Sequence, residues 1–131
     1  MALNIDRIRL KIIIYNSNIK NSDVTIVKKV NGRDNMLPNV TYDNNLTIEQ
    51  NIYKLVRSMY LDNNLTNDMF YEFIKNFNIN NKSIYSDQFN DKTKKYDRRY
   101  TFKFSTEDKN YDKIYDILSK INLDVYDIVN C

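Results

Sequence analysis

The chain lacks histidine altogether and contains one cysteine, one glycine and one proline in 131 residues. Without histidine, Ser/His and Cys/His catalysis, imidazole metal ligands and the usual pH switch near neutrality are excluded. The single cysteine, Cys131, cannot form a disulfide, a zinc site or a redox motif within one chain. These absences favour a reducing compartment and a protein without such catalytic or metal centres.

The N-terminal sequence and the charge balance set further limits. Residues 1–15 lack the basic start and the long apolar core of a signal peptide, and their apolar run is too short to span a membrane. We therefore expect a cytoplasmic protein with no membrane partner. The net charge of +3 does not by itself indicate nucleic-acid binding, so any basic surface must be local. The length fits a single domain over residues 1–131.

Apolar periodicity predicts several strands. They are expected at residues 8–15, 23–30, 84–89 and 100–104, and residues 125–129 form either a last strand or an extended tail. The strongest turn signal is Asn31-Gly32. Residues 69–79 fit both a helix and an aromatic strand, and we interpret them as a strand. Residues 92–99 are interpreted as a charged loop.

Two helices are predicted. The first covers residues 46–62, where Thr47 and Gln50 have the spacing of a capping box. Its apolar stripe consists of Ile48, Ile52, Leu55, Val56, Met59 and Tyr60. The second follows a cap at Ser105 or Asp108 and carries a similar stripe from Tyr111 to Ile121. The expected fold is α/β (α+β), with a curved mixed sheet sandwiched between the first helix on one face and the terminal helix on the other.

The order of elements around Leu37-Pro38 resembles the Nudix superfamily. In that family an LP pair precedes a loop and a helix with the pattern G-x5-E-x7-R-E-U-x-E-E-x-G-U, which holds magnesium against a diphosphate. Here the LP pair is followed at the right distance by the predicted helix. Aligning on Pro38 places the three metal-binding glutamates of the family on Leu55, Ser58 and Met59.

A second alignment of the Nudix pattern, through Glu49, Arg57 and Leu65, places those glutamates on Ser58, Leu61 and Asp62. Neither alignment supplies the oxygen ligands that magnesium needs. The family glycines after LP are replaced as well, by Asn39 and Val40. The resemblance therefore implies a degenerate Nudix domain with no metal site, no catalytic residue and no cofactor. A weaker resemblance to ADP-ribose-sensing Nudix regulators covers residues 89–99.

The most concentrated basic stretch lies at residues 92–103, where cations alternate with aromatic rings. Phosphate contacts combined with stacking rings are what single-stranded RNA or a nucleotide requires. Eleven tyrosines also favour an interface, unless they reflect the codon bias of an AT-rich genome. The candidate ligand-binding residues are Lys94, Arg98, Arg99, Tyr100 and Tyr42. The alternative is a solvated loop that leads into a core strand.

Three functions from different classes follow. The leading hypothesis is a catalytically inactive Nudix-like domain that binds a protein partner, a second copy of itself or a nucleotide-like ligand. The second is a divergent Nudix hydrolase acting on a nucleoside diphosphate derivative, with Asp62, Glu49 and either Glu72 or Asp87 as metal ligands. The third is an RNA-binding module that uses residues 92–103.

Overall fold

Strands and helices follow one another in a computed structural model that describes residues 4–16, 18, 23–32, 34–61, 64–75 and 77–131. The strands are β1 (Ile5–Tyr15), β2 (Val24–Lys28), β3 (Asn39–Thr41), β4 (Tyr85–Asn90), β5 (Lys95–Ser105) and β6 (Tyr126–Asn130). The helices are α1 (Ile48–Ser58), α2 (Asn67–Ile74) and α3 (Tyr111–Ser119), with a short 3₁₀ turn at Lys82–Ile84. In this part of the chain, no helix is long and apolar enough to cross a lipid bilayer.

All six strands form one mixed sheet in the order β4-β5-β1-β2-β6, with β3 pairing with β1 beside β2. Strand β1 is central because both of its edges are paired. Along one edge it pairs in parallel with β5 from Ile5 to Tyr15. Its other edge is shared by two short antiparallel partners, β3 at residues 7–9 and β2 at Ile13 and Ile14. A sheet with both parallel and antiparallel pairs, combined with helices, confirms the predicted α+β class.

The two-residue period of the central strands decides where the core lies, because successive side chains of a strand point to opposite faces. On β1, alternate residues from Ile8 to Ile14 are buried, and on β5 so are Tyr100, Phe102 and Phe104. Most of the intervening positions of both strands carry charged side chains that are half-buried or exposed, and Ile13 and Thr101 are the uncharged ones. The sheet therefore has one apolar face and one polar face.

The helices pack against the apolar face and against one another. The hydroxyl of Tyr60, just after α1, donates to the carbonyl of Ile117 in α3 at 2.8 Å. The ring of Phe73 in α2 lies 5.6 Å from the ring of Phe102 in β5. The buried apolar residues of all three helices belong to one core. Helix α3 therefore lies on the same face of the sheet as α1, whereas we expected the two helices on opposite faces. The other face carries the charged residues that alternate along β1 and β5, so it offers little apolar surface to a helix.

Helix α1 begins as the sequence predicts. The hydroxyl oxygen of Thr47 accepts a hydrogen bond from the backbone N–H of Gln50 at 3.1 Å. In return, the side-chain oxygen of Gln50 accepts from the backbone N–H of Thr47 at 2.8 Å. This reciprocal pair satisfies two of the donors that a helix start leaves free. The predicted capping box is confirmed.

We expect Thr47→Ala to lower the free energy of unfolding by about 1 kcal/mol, because alanine leaves the Gln50 N–H without its acceptor. Thr47→Ser keeps the hydroxyl and should retain most of the stability. Equilibrium urea denaturation followed by circular dichroism measures both variants. Equal stability of the alanine variant and the wild type would show that the capping box does not contribute.

The interpretation of residues 69–79 as a strand is wrong, because helix α2 occupies Asn67–Ile74. Its N-cap is Thr66, whose hydroxyl oxygen accepts from the backbone N–H of Met69 at 3.2 Å. The buried residues of α2 are Phe70, Phe73 and Ile74. This is the helical spacing, so burial of one helical stripe outweighed the strand preference of aromatic residues.

Two boundaries in the second half of the chain also differ from the sequence interpretation. The predicted charged loop is shorter, because β5 already begins at Lys95 and pairs on both edges, with β1 and with β4. Helix α3 begins at Tyr111, after Asn110, and neither Ser105 nor Asp108 is its N-cap. The side chain of Asp108 instead accepts from the Asn110 N–H at 2.9 Å in the turn before the helix. The last predicted segment is a strand, β6, which pairs with β2.

Candidate functional site

The polar face of the sheet, which we call the open face, collects basic residues from its two central strands. The alternation that buries the apolar residues of β1 and β5 puts the other side chains on this face. The parallel register sets Arg9 beside Arg99 and Ile13 beside Lys103. The basic residues of the open face are Arg7, Arg9, Lys11, Lys95, Arg99 and Lys103. Asp97 is the acidic residue among them on these two strands.

Charge is distributed unevenly between the open face and the helices. Helices α1, α2 and α3 together contain five acidic and three basic residues: Glu49, Asp68, Glu72, Asp112 and Asp116 against Lys54, Arg57 and Lys113. The small net charge of the chain therefore conceals a positive sheet face and a slightly negative helical side. A positive face of this kind attracts an anionic ligand.

Some cations of the open face already have side-chain partners within the protein, and others do not. The guanidinium of Arg7 donates to the side chains of Asn39 and Thr41 on β3. Arg9 pairs with Asp97, with 3.3 Å between Nη2 and Oδ2. In the described residues, no carboxylate lies within ion-pair distance of the four remaining cations, which are Lys11, Lys95, Arg99 and Lys103. These four are available to a phosphate.

Two neighbouring recesses lie on the open face and share Arg9, Gln88 and Asp97 in their walls. The larger, of about 480 Å³, extends to Phe89 and to Lys92 at the β4–β5 hairpin. The smaller, of about 150 Å³, is completed by Leu37, Ser86 and Arg99. Together we call them the trough. The trough combines cationic donors, two acidic residues, Asp91 and Asp97, and apolar wall surface from Leu37, which suits a ligand with both anionic and planar parts.

The chain matches no protein-family model, no curated protein and no solved structure. The Nudix resemblance therefore stays a hypothesis, which rests on the residues around Leu37-Pro38 and on the weaker similarity of residues 89–99. Function has to be argued from the geometry of the site, since fold analogy by itself does not specify function.

The predicted ligand-binding residues are divided between the two faces of the sheet. Arg99 is exposed on the open face, and Lys94 is exposed in the hairpin turn with φ of 58°. Arg98 and Tyr100 lie on the apolar side of β5, and Tyr100 is only 1% exposed. Tyr42 follows β3 and packs, half-buried, against the core. The structure thus brings Arg99 and the hairpin to one side and separates them from Arg98, Tyr100 and Tyr42.

Arg98 is held by its strand neighbours. Its guanidinium makes two hydrogen bonds to the carboxylate of Asp87, at 2.8 and 3.1 Å, and lies 4.0 Å above the ring of Tyr85. Burial alone would lower the pKa of Arg98, but the hydrogen bonds to the Asp87 carboxylate outweigh it and raise that pKa. The paired geometry joins the edge strand β4 to β5, and this is a structural role.

The acids required by the hydrolase hypothesis lie on separate elements. Glu49 is exposed in the first turn of α1, and Asp87 is bound to Arg98. Glu72 pairs with Lys75 at 3.0 Å, and this hydrogen bond is the main cause of its lowered pKa. Asp62 lies outside the described residues. Among the residues that are described, no group of three acids, histidines or cysteines is placed to hold a metal ion.

The trough residues Arg9, Gln88 and Asp97 were not predicted as site residues. Arg9 and Asp97 lie 88 residues apart along the chain and meet only through the parallel pairing of β1 and β5. A signal was present in residues 7–11, where arginine and lysine occupy every second position of an otherwise apolar run. Read with the period of a strand, that alternation indicates a half-exposed basic face rather than a fully buried strand.

Proposed function

We propose that this protein is a non-catalytic module that binds single-stranded RNA on the open face of its sheet. The observation that supports the proposal is the group of cations on β1 and β5 that lack carboxylate partners in the described part of the chain. Alternate residues on a strand are about 6.6 Å apart, a separation similar to that of successive phosphates in an extended polynucleotide. Arg99 and Lys103 lie four residues apart on β5, a separation of about 13 Å, and Lys11 on β1 pairs with Thr101 between them. These three cations are thus placed to contact several phosphates of one strand.

The trough favours a single strand over a duplex. A duplex presents mainly its phosphates to a flat surface, whereas the unstacked bases of a single strand can enter recesses and stack on exposed rings. The trough offers such recesses beside the cations. A mononucleotide would use only part of this surface.

A protein partner or a second copy of the chain, the leading hypothesis from the sequence, remains a weaker proposal. The exposed large apolar residues in the described part of the chain are Leu61, Tyr71, Phe89, Tyr115, Leu123, Val125 and Ile128. Leu61 follows α1, Tyr71 and Tyr115 lie on α2 and α3, Leu123 and Val125 lie between α3 and β6, and Phe89 and Ile128 lie on the edge strands β4 and β6. Protein interfaces usually present a contiguous apolar centre, and these residues do not point to one.

RNA binding is tested by fluorescence anisotropy with a labelled eight-nucleotide mixed-sequence RNA over a series of salt concentrations. We expect the double variant Arg99→Ala with Lys103→Ala to raise the dissociation constant about tenfold or more at low salt. The slope of log K against log salt should fall by about 1.4, because each phosphate contact on a single strand contributes about 0.7. Both residues are exposed, so the fold should be unaffected.

The matched control is Lys54→Ala with Lys109→Ala, which removes the same charge from exposed positions away from the open face. It should leave the affinity and the salt slope nearly unchanged. Equal weakening by both double variants would indicate attraction by net charge alone and would overturn the proposal. The same conclusion would follow if the RNA did not bind at low salt, or if polyglutamate bound as tightly as RNA, as expected of a surface for acidic proteins.

A further inference from the structure

The open face separates charged from neutral polar side chains on adjacent strands. On the first half of β5 the residues of this face are charged. Directly opposite residues of an antiparallel pair share a face, and the register sets Ser86 of β4 opposite Arg99 and Gln88 opposite Asp97. On the edge strand β4 the open face therefore carries the neutral residues Ser86, Gln88 and Asn90. A column of neutral hydrogen-bonding groups thus runs beside a column of charges.

The two columns meet in the smaller recess of the trough, where three polar side chains are open to a ligand. Arg9 and Asp97 of that recess bind each other. The guanidinium of Arg99, the hydroxyl of Ser86 and the amide of Gln88 make no hydrogen bond to any residue that the structure describes. All three residues are exposed.

These three groups set different requirements on a ligand. A guanidinium only donates hydrogen bonds and suits a phosphate. A serine hydroxyl and a glutamine amide both donate and accept, so they suit a neutral group that also does both. Neighbouring strands are about 4.8 Å apart. The neutral group of the ligand must therefore lie directly beside its phosphate.

In a polynucleotide each phosphate is joined to a sugar, and the 2′-hydroxyl of ribose is both a donor and an acceptor. We propose that Ser86 and Gln88 bind ribose 2′-hydroxyls beside the phosphate that Arg99 contacts, so that the trough discriminates RNA from DNA. This inference rests on the proposed binding of single-stranded RNA and names the residues that recognise its sugar. Ser86 and Gln88 are about 6.6 Å apart along β4, so they contact the sugars of successive nucleotides.

Sugar recognition is tested by fluorescence anisotropy with a labelled eight-nucleotide RNA and a DNA of the same sequence that contains uracil instead of thymine. The two ligands then differ only in their 2′-hydroxyls. We expect the RNA to bind about tenfold more tightly, because the DNA cannot make the hydrogen bonds to Ser86 and Gln88. This comparison uses the unaltered protein, so it does not depend on the folding of any variant.

A third ligand separates contact with the hydroxyl from a preference for the shape of the ribose ring. RNA with fluorine in place of each 2′-hydroxyl keeps the ring pucker of ribose but has no 2′ donor. We expect it to bind nearly as weakly as the DNA. If it bound as tightly as RNA, sugar shape would account for the preference, and recognition of the hydroxyl would be overturned.

On the protein side, the double variant Ser86→Ala with Gln88→Leu should weaken RNA binding about tenfold and leave DNA binding nearly unchanged. The matched control is Ser119→Ala with Asn67→Leu, which removes one hydroxyl and one amide from exposed positions on α3 and α2. It should keep the preference for RNA. Equal weakening of RNA and DNA binding by the β4 variant would show that these residues do not recognise the sugar.

The two proposals fail in different ways. Equal affinity of the unaltered protein for RNA and DNA would overturn recognition of the 2′-hydroxyl and leave binding of a single strand on the open face standing. Failure to bind either nucleic acid at low salt would overturn both proposals.

Discussion

Replacing Asn51 by leucine should lower the free energy of unfolding by about 3 kcal/mol. Asn51 is fully buried in α1, yet its side chain is polar. Its Oδ1 accepts from the backbone N–H of Asp43 at 2.8 Å, and its Nδ2 donates to the carbonyls of Asp43 and Thr47 at 3.1 and 2.9 Å. Leucine has a similar size but makes none of these bonds, so the backbone N–H of Asp43 loses its acceptor, and the carbonyls of Asp43 and Thr47 each keep only a backbone donor.

The matched control for Asn51→Leu is Asn44→Leu. Asn44 lies in the same loop and is exposed, so its replacement should change stability by no more than about 0.5 kcal/mol. Urea denaturation of the two variants gives the comparison directly. If both variants were equally stable, the hydrogen bonds of Asn51 would be replaceable by water, and the loop would not depend on them.

Asn51 also illustrates why part of the fold was beyond prediction from the sequence. The apolar stripe of α1 and its capping box were predictable because each depends on residues within one or two turns. A buried asparagine is harder to recognise, since its role depends on the path of the loop before the helix. In a chain so rich in asparagine, the residue type carries little information about position.

The candidate site shows the same division between local and long-range information. The basic character of residues 92–103 was visible in the sequence, and Arg99 belongs to the site that the structure reveals. Which residues of that stretch face the ligand depends on the strand register, which turns Arg98 and Tyr100 inward. The contribution of Arg9 depends on pairing between β1 and β5, which no local pattern specifies.

Helix α2 shows a different cause of error, in which two local signals conflict. Aromatic content favoured a strand, and the spacing of Phe70, Phe73 and Ile74 favoured a helix. The spacing proved to be the better guide because a helix buries all three in the core, with Phe70 4.9 Å from Tyr53 of α1 and Phe73 5.4 Å from Phe104 of β5. Tertiary packing therefore determined that this segment forms a helix and not a strand.

The largest expected effect comes from Phe102→Ala, which should lower the free energy of unfolding by about 4 kcal/mol. Phe102 is completely buried in the middle of β5. Its ring stacks on Phe77 with 4.5 Å between centroids, and it contacts Phe73 edge-on. Removing it leaves a cavity between the sheet and α2 and removes these aromatic contacts. Urea denaturation of the variant measures the loss.

Phe89→Ala is the matched control, because Phe89 is the same residue type on the edge strand β4 and is 46% exposed. Its main ring contact is with Tyr96, so its loss should cost about 1 kcal/mol. Similar losses for the two variants would contradict a core centred on β5. The comparison also bears on the site, since β5 carries Phe102 on one face and Arg99 and Lys103 on the other. Phe102→Leu retains most of the buried volume, so this variant should keep the strand in register and leave the RNA affinity of the open face unchanged.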